Sequence, residues 1–173
     1  MKRITAILAF ALAAGAAGAA PASSDEPLDP DKAFRPHARL VAGEPGPVSG
    51  TERHGIDIDY DIAPGYYLYR NRLRFEVSPP TLLIGPPELP AGIEVDDPFI
   101  GKSPIFREHV TIHLPFVVSV AKPGRFKVKI TAQGCAEERL CYSPFPQEVV
   151  VNIPPGYRVM DSPGSPVPRP LPR

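Results

Sequence analysis

At 173 residues the chain is long enough for one domain of ordinary size. Its 19 basic and 19 acidic residues cancel, so it lacks the charge imbalance that would mark a nucleic-acid or anionic-membrane binder. Proline is abundant at 25 residues, tryptophan is absent, cysteine occurs twice, and there is no internal repeat.

The chain begins as a secretory signal. Lys2 and Arg3 make a basic start, and Ile4 to Leu12 with the Ala/Gly run behind them make the apolar segment. Cleavage is expected after Ala19 or after Ala22, which gives a signal peptide over 1–22 and export to the periplasm. Nothing downstream is apolar enough to span a bilayer, so a soluble monomer is expected after processing. Residues 23–30 are polar and Pro-containing and read as a disordered lead-in to a domain over 31–155.

The body of the chain predicts strands. Ala38 to Ala42 reads as an edge segment, and Gly43 to Gly50 has the composition of a flexible loop. In Ile56-Asp57-Ile58-Asp59-Tyr60-Asp61-Ile62 apolar residues alternate with aspartates, which predicts one buried and one wet face. Pro64-Gly65 marks a turn. Tyr66 to Tyr69 leads into the alternating Arg72 to Val77, which Pro79-Pro80 ends.

Residues 85–92 form a connection, Ile93 to Val95 a short strand, and Asp96 to Ser103 a polar loop with a lone aromatic, Phe99. His109 to Val120 is the clearest strand, and Pro115 within it argues for an edge or a bulge. Lys122-Pro123-Gly124 turns the chain into Phe126 to Ala132, and Val149 to Ile153 is the last strand. Prolines at 163, 166, 168, 170 and 172 make 156–173 a solvated, polyproline-like tail. No amphipathic helix follows the signal. Some seven short strands with turns between them predict an all-β fold, an immunoglobulin-like β-sandwich.

The two cysteines, Cys135 and Cys141, sit in Gln133-Gly134-Cys135-Ala136-Glu137-Glu138-Arg139-Leu140-Cys141-Tyr142-Ser143-Pro144. A Gly before the first and a Ser-Pro after the second suggest a loop pinched between two strands. Such a loop can meet disulfide geometry, with Cα atoms roughly 4.4–6.8 Å apart. As a staple the bridge would close a short loop worth about 2.4 kcal/mol of chain entropy, against about 4.7 for a loop of about 100 residues. Spacing alone leaves a staple and a working redox pair equally open. No metal site is expected, because two Cys without a nearby Cys or His pair leave a zinc tetrahedron half empty. No other cofactor is expected. Copper handling by the two thiolates lacks a supporting Met cluster, with Met160 alone in the processed chain.

Four ordered stretches resemble a known family. They are Asp31-Lys32-Ala33-Phe34, Gly65-Tyr66-Tyr67-Leu68-Tyr69-Arg70, Phe99 with Gly101-Lys102-Ser103, and Gln133 to Tyr142 with its Cys-x5-Cys loop. Together they are similar to the N-terminal periplasmic domain of DsbD, the bacterial transmembrane thiol:disulfide reductant conductor. The resemblance covers about Asp31 to Ile153 and implies an immunoglobulin-like sandwich. It also implies that Cys135 and Cys141 are a redox-active pair, with Cys141 forming the mixed disulfides. The implied partners are thioredoxin-like periplasmic proteins, of the disulfide isomerase or cytochrome c maturation type, and a separate membrane electron donor.

By the same resemblance, Asp97, Pro98, Phe99, Ile100 and Gly101 form a cap loop over the disulfide, with Tyr67 and Tyr69 beneath it. Pro98 stands where the family has a second acidic residue, which stiffens the cap and removes a charge near the thiols. Glu137 and Glu138 should disfavour a thiolate and Arg139 should favour one, unless all three are a solvated loop tip. The competing reading, of a different class, is a non-catalytic sandwich that binds a thioredoxin-like partner and keeps the disulfide as a staple.

Overall fold

The structure is a computed structural model that describes residues 26–46, 49, 52–82, 84–97, 100–117 and 123–157. The expected signal peptide, Pro98, Phe99, residues 118–122 and the tail from 158 onward lie outside the described residues. Among the described residues, every regular element is a strand apart from one helical turn at Pro30–Ala33 and a 3-10 turn at Arg70–Arg72. The domain is an immunoglobulin-like β-sandwich, as the alternation predicts, though built from more strands than the seven or so counted in the sequence.

The first sheet has the order β1 (Phe34–Pro45), β2 (Glu52–Ile62), β7 (His109–Pro115). A second runs β11 (Phe145–Ile153), β8 (Gly124–Ala132), β4 (Arg74–Ser78). The third, with five strands, has the order β10 (Leu140–Cys141), β9 (Gly134–Ala136), β3 (Tyr66–Tyr69), β6 (Gly101–Phe106), β5 (Ile93–Asp97). All pairings are antiparallel.

Period-two burial builds the core. Ile56, Ile58, Tyr60 and Ile62 of β2 meet Ile112 and Leu114 of β7 and, from the second sheet, Phe126, Val128 and Ile130. Tyr60 ties the layers with a polar contact, its buried hydroxyl donating to Gln147 Oε1 at 3.0 Å, while Gln147 Nε2 donates to the Phe34 carbonyl at 2.7 Å.

Several sequence expectations need correction. The loop expected over Gly43 to Gly50 begins later than expected, because β1 and β2 stay paired out to Pro45 and Glu52 through an irregularity at Gly43, whose φ is +71°. The Tyr66 to Val77 run is two strands in two sheets, split by the turn at Arg70–Arg72. Asp96 to Ser103 is a tight hairpin, with Asp97 opposite Gly101, rather than an open loop. The strand from His109 is regular as far as Pro115, beyond which Phe116 N–H still donates to the His54 carbonyl at 3.0 Å, and β7 does lie at a sheet edge, where a proline is tolerated.

The wet face of β2 is also only partly wet. Asp57 is fully buried, in register with both Arg39 and His113. It accepts from Arg39 Nη2 and from Arg53 Nη2 at 3.3 Å, and pairs with His113 Nδ1 at 2.6 Å.

Candidate functional site

The site grows from the short strand β3. Its period of two sends Leu68 into the main core and sends Tyr67 and Tyr69 to the opposite face. There the tyrosines join Ile105, Cys135, Val95 and Cys141 in a second, smaller apolar cluster. β9 lies along β3 with Cys135 opposite Tyr67 and Gly134 opposite Leu68. The approach is close enough that Gly134 has no room for a side chain: a Cβ there would sit 2.7 Å from Phe34 Cζ and would overlap the Tyr67 carbonyl oxygen.

After Ala136 the chain reverses in a turn closed by Arg139 N–H to the Ala136 carbonyl at 3.1 Å. It returns as β10 with Cys141 directly opposite Cys135. Tyr142 N–H donates to the Gly134 carbonyl at 2.9 Å, which makes the cysteines a non-hydrogen-bonded pair. Opposed Cα atoms come closest in such pairs, typically about 4.5 Å apart. Here they are 4.0 Å apart, closer than the usual span of a disulfide, and the two sulfurs are bonded.

The two sulfurs differ in surroundings. Cys135 is 1 % exposed, whereas Cys141 is half-buried at the edge of the sheet. The Tyr69 hydroxyl oxygen lies 3.2 Å from Cys135 Sγ and 3.6 Å from Cys141 Sγ. Tyr69 and Tyr67 both donate to one oxygen of the buried Asp97, at 2.7 and 2.6 Å. The other oxygen of Asp97 accepts Ile100 N–H at 3.2 Å. Burial first, and the bond to Asp97 second, push both tyrosines above the ordinary phenol range, so both stay protonated at neutral pH.

A cleft of about 480 Å³ opens beside Cys141, lined among others by Tyr67, Val95, Asp97, Arg107 and Leu140. A larger depression of about 560 Å³ opens on the other side of the same turn and contains neither cysteine. The chemistry therefore belongs to the smaller cleft.

The structure brings together Cys135, Cys141, Tyr67, Tyr69 and Asp97 from the residues singled out by sequence. Ile100 is 40 % exposed and joins the cluster only through its backbone bond to Asp97. Gly101 takes a φ of +72° at the end of the hairpin turn, where a glycine is conformationally favoured. Pro98 and Phe99, the centre of the expected cap, lie outside the described residues. Sequence reasoning missed Arg107. It follows β6 and crosses to the cysteine turn, where Nη1 and Nη2 donate to the two oxygens of Glu137 at 2.9 and 2.8 Å. Glu137 is thus paired rather than a free loop tip, and its carboxyl is held below the ordinary range chiefly by that bond. No local motif marks Arg107, because its partner is 30 residues away.

An immunoglobulin-like sandwich with a half-exposed disulfide at a sheet edge, underlaid by two tyrosines and an aspartate, defines the class: an all-β module that displays a cysteine pair. The chain belongs to the family described as "Thiol:disulfide interchange protein DsbD, N-terminal", whose sequence profile matches residues 24–153. It is similar to the DsbD protein of Neisseria meningitidis serogroup A, 31 % identical over 153 residues, or 88 % of this chain and 23 % of that protein. It also resembles DsbD of Cronobacter sakazakii, 41 % identical over 93 residues, covering 54 % of this chain and 15 % of that protein. The chain thus spans less than a quarter of the length of these relatives.

Among solved structures it is similar to the N-terminal domain of N. meningitidis DsbD in the reduced form. The TM-score is 0.59 at 29 % identity, covering 73 % of this chain and 90 % of that one. It is also similar to a structure of the complex between the DsbD N-terminal and PilB N-terminal domains of the same organism, with TM-score 0.53 and 28 % identity over 76 % of this chain and 91 % of that one. Among the described residues no helix is long and apolar enough to cross a membrane.

Proposed function

We propose that this domain is a periplasmic thiol–disulfide relay module that exchanges reducing equivalents with thioredoxin-like partners through Cys135 and Cys141. The observation that carries the reading is the unequal exposure of the two sulfurs. Exchange requires in-line access to one sulfur of the bond. Cys141 borders an open cleft, while Cys135 is buried over Tyr69. A bridge serving only as a staple has no need for a cleft beside one of its sulfurs.

The reaction runs in two balanced steps. A partner thiolate attacks Cys141 Sγ, a new S–S bond joins partner and Cys141, and the Cys135–Cys141 bond breaks with its electron pair leaving on Cys135. Cys135 takes up a proton. The partner's second thiolate then attacks its own bridged sulfur, releasing Cys141 as a thiolate that is protonated in turn. The partner is oxidised to a disulfide and this domain is reduced to a dithiol. Delivery to the next partner is the same sequence in reverse.

Tyr69 lies where the departing Cys135 sulfur takes up charge. A protonated hydroxyl at that position can solvate a thiolate or accept from a thiol. The cap loop of Asp97, Pro98, Phe99, Ile100 and Gly101 would cover the cysteines until a partner displaces it. Support for such docking comes from a related DsbD N-terminal domain, which has been seen in complex with another protein domain.

The test is trapping. With Cys135→Ser and Cys141 first converted to its mixed disulfide with thionitrobenzoate, a thioredoxin-like protein keeping one active-site Cys should displace thionitrobenzoate and form a stable, reductant-sensitive adduct through Cys141, because neither side retains a resolving thiol. With Cys141→Ser no adduct should accumulate. Trapping through Cys135 alone would reverse the assignment, and no adduct with either variant would favour the structural disulfide.

A further inference from the structure

The turn carrying the cysteines is held at its tip by Arg107. Its planar guanidinium makes two parallel bonds to Glu137, a geometry that fixes orientation as well as charge. The same guanidinium carbon lies 5.3 Å from the centroid of the Tyr67 ring. Glu137 is tied on its backbone side as well, its N–H donating to the Gly65 carbonyl at 2.8 Å. Arg107, Glu137 and Cys141 line one cleft.

The geometry points to Arg107 as a positioning residue for exchange at Cys141. It fixes the turn through Glu137, and it cancels a carboxylate charge beside a sulfur that must become negative. This inference rests on the relay function proposed above.

The charges around the cysteines make the argument. From β3 come Tyr67 and Tyr69, both neutral at working pH. From β5 come Asp96 and Asp97, from the end of β6 comes Arg107, and from the turn come Glu137, Glu138 and Arg139. Counted by formal charge, four carboxylates face two guanidiniums. Without Arg107 the ratio is four to one, and a thiolate at Cys141 is disfavoured. Without the charge of Glu137 it is three to two, and a thiolate is favoured.

A merely structural clamp predicts something different. Breaking the pair from either side would then loosen the turn in the same way and move the thiol in the same direction.

The experiment uses the full chain in a Cys135→Ser background, so that Cys141 is the single thiol. Its alkylation by iodoacetamide is followed as a function of pH for the parent and for Arg107→Ala, Arg107→Lys, Glu137→Gln and the Arg107→Ala/Glu137→Gln pair. One charge several ångströms away in a solvated cleft moves a thiol pKa by about half a unit, or about threefold in thiolate fraction. Arg107→Ala should slow alkylation at pH 7 about threefold and Glu137→Gln should speed it about as much, given that charge difference. The double variant should return close to the parent.

Arg107→Lys, which keeps the charge and loses the fork, should leave the thiol pKa unchanged and slow only partner-dependent exchange. All shifts should shrink in high salt. Shifts of the same sign in Arg107→Ala and Glu137→Gln, or none in either, overturn the proposal. If Arg107→Ala does not fold, Arg107→Gln takes its place in the comparison of signs. Alkylation needs no protein partner, so a failure of the relay function is read separately from a failure of this charge arrangement.

Discussion

Replacing Gly134 with alanine tests whether the cysteine strand is packed as closely onto β3 as the structure shows. The added methyl would lie 2.7 Å from Phe34 Cζ and 3.0 Å from Leu68 Cδ2, and would overlap the Tyr67 carbonyl oxygen. Carbon contacts are comfortable at about 3.5–4.0 Å. Phe34 and Leu68 are both fully buried, and the Tyr67 carbonyl belongs to a paired strand, so no neighbour is free to move aside. The substitution should therefore cost about 2–3 kcal/mol, the upper part of the overpacking range. For a domain of this size that lowers Tm by roughly 6–15 °C. Relief comes only by β9 lifting off β3, which draws Cys135 away from Tyr69, so the disulfide should also be reduced faster by dithiothreitol. Thermal unfolding of the oxidised protein and a reduction time course read the two effects. A fall in Tm of under about 2 °C would show that β9 does not lie where it is described.

Removing the bridge with Cys135→Ser and Cys141→Ser should leave a folded sandwich, with a loss of at most about 2–3 kcal/mol in a denaturant melt, since the closed loop is short. Glu138 sits in the turn with a φ of +58° and an exposed side chain, so Glu138→Gly should stabilise the domain by about 0.5–1 kcal/mol, the left-handed strain less the flexibility gained by the unfolded chain. Asp57→Ala strands the buried His113 and unpairs Arg39 and Arg53 from a buried carboxylate, and should cost about 3 kcal/mol, with Asp57→Asn milder. The Arg107–Glu137 pair depresses the Glu137 carboxyl, so its contribution is present above the ordinary carboxylate pKa and fades as pH falls through the lowered one. Both partners are partly exposed, so it should be worth no more than about 1 kcal/mol, seen as a Tm gap between parent and Glu137→Gln at pH 7 that closes as pH falls through the lowered Glu137 pKa.

How much of this was legible in the sequence depends on the length scale of each signal. Alternation over Ile56 to Ile62 and Phe126 to Ala132 located core strands, because a period of two is a local property. The same alternation assigns a face and not a depth. Asp57, Asp59 and Asp61 look alike in sequence, yet Asp57 is fully buried because Arg39 and His113 flank it from neighbouring strands. Composition misled at Gly43 to Pro45 and at Asp96 to Ser103. Gly, Pro and Asp lower strand propensity there, but cross-strand pairing supplied by β2 and β6 overrode it. The cysteine turn was legible because glycine, two cysteines and a proline punctuate it within a dozen residues. Arg107 was not, since only the folded topology carries it to Glu137.

The asymmetry of the two sulfurs follows from these same local rules. Cys135 is buried because Gly134 lets β9 lie flush on β3, with Cys135 in register with Tyr67. Cys141 is accessible because β10 is two residues long and has no strand on its outer side among the described residues. An edge strand that short leaves little backbone to recruit unwanted pairing, yet presents one side chain at the rim. A hydrogen-bonded position for the cysteines would hold their Cα atoms farther apart, at about 5.5 Å. The unequal exposure that supports a relay is thus set by strand length, register and one missing side chain, before any property of the sulfurs themselves is considered.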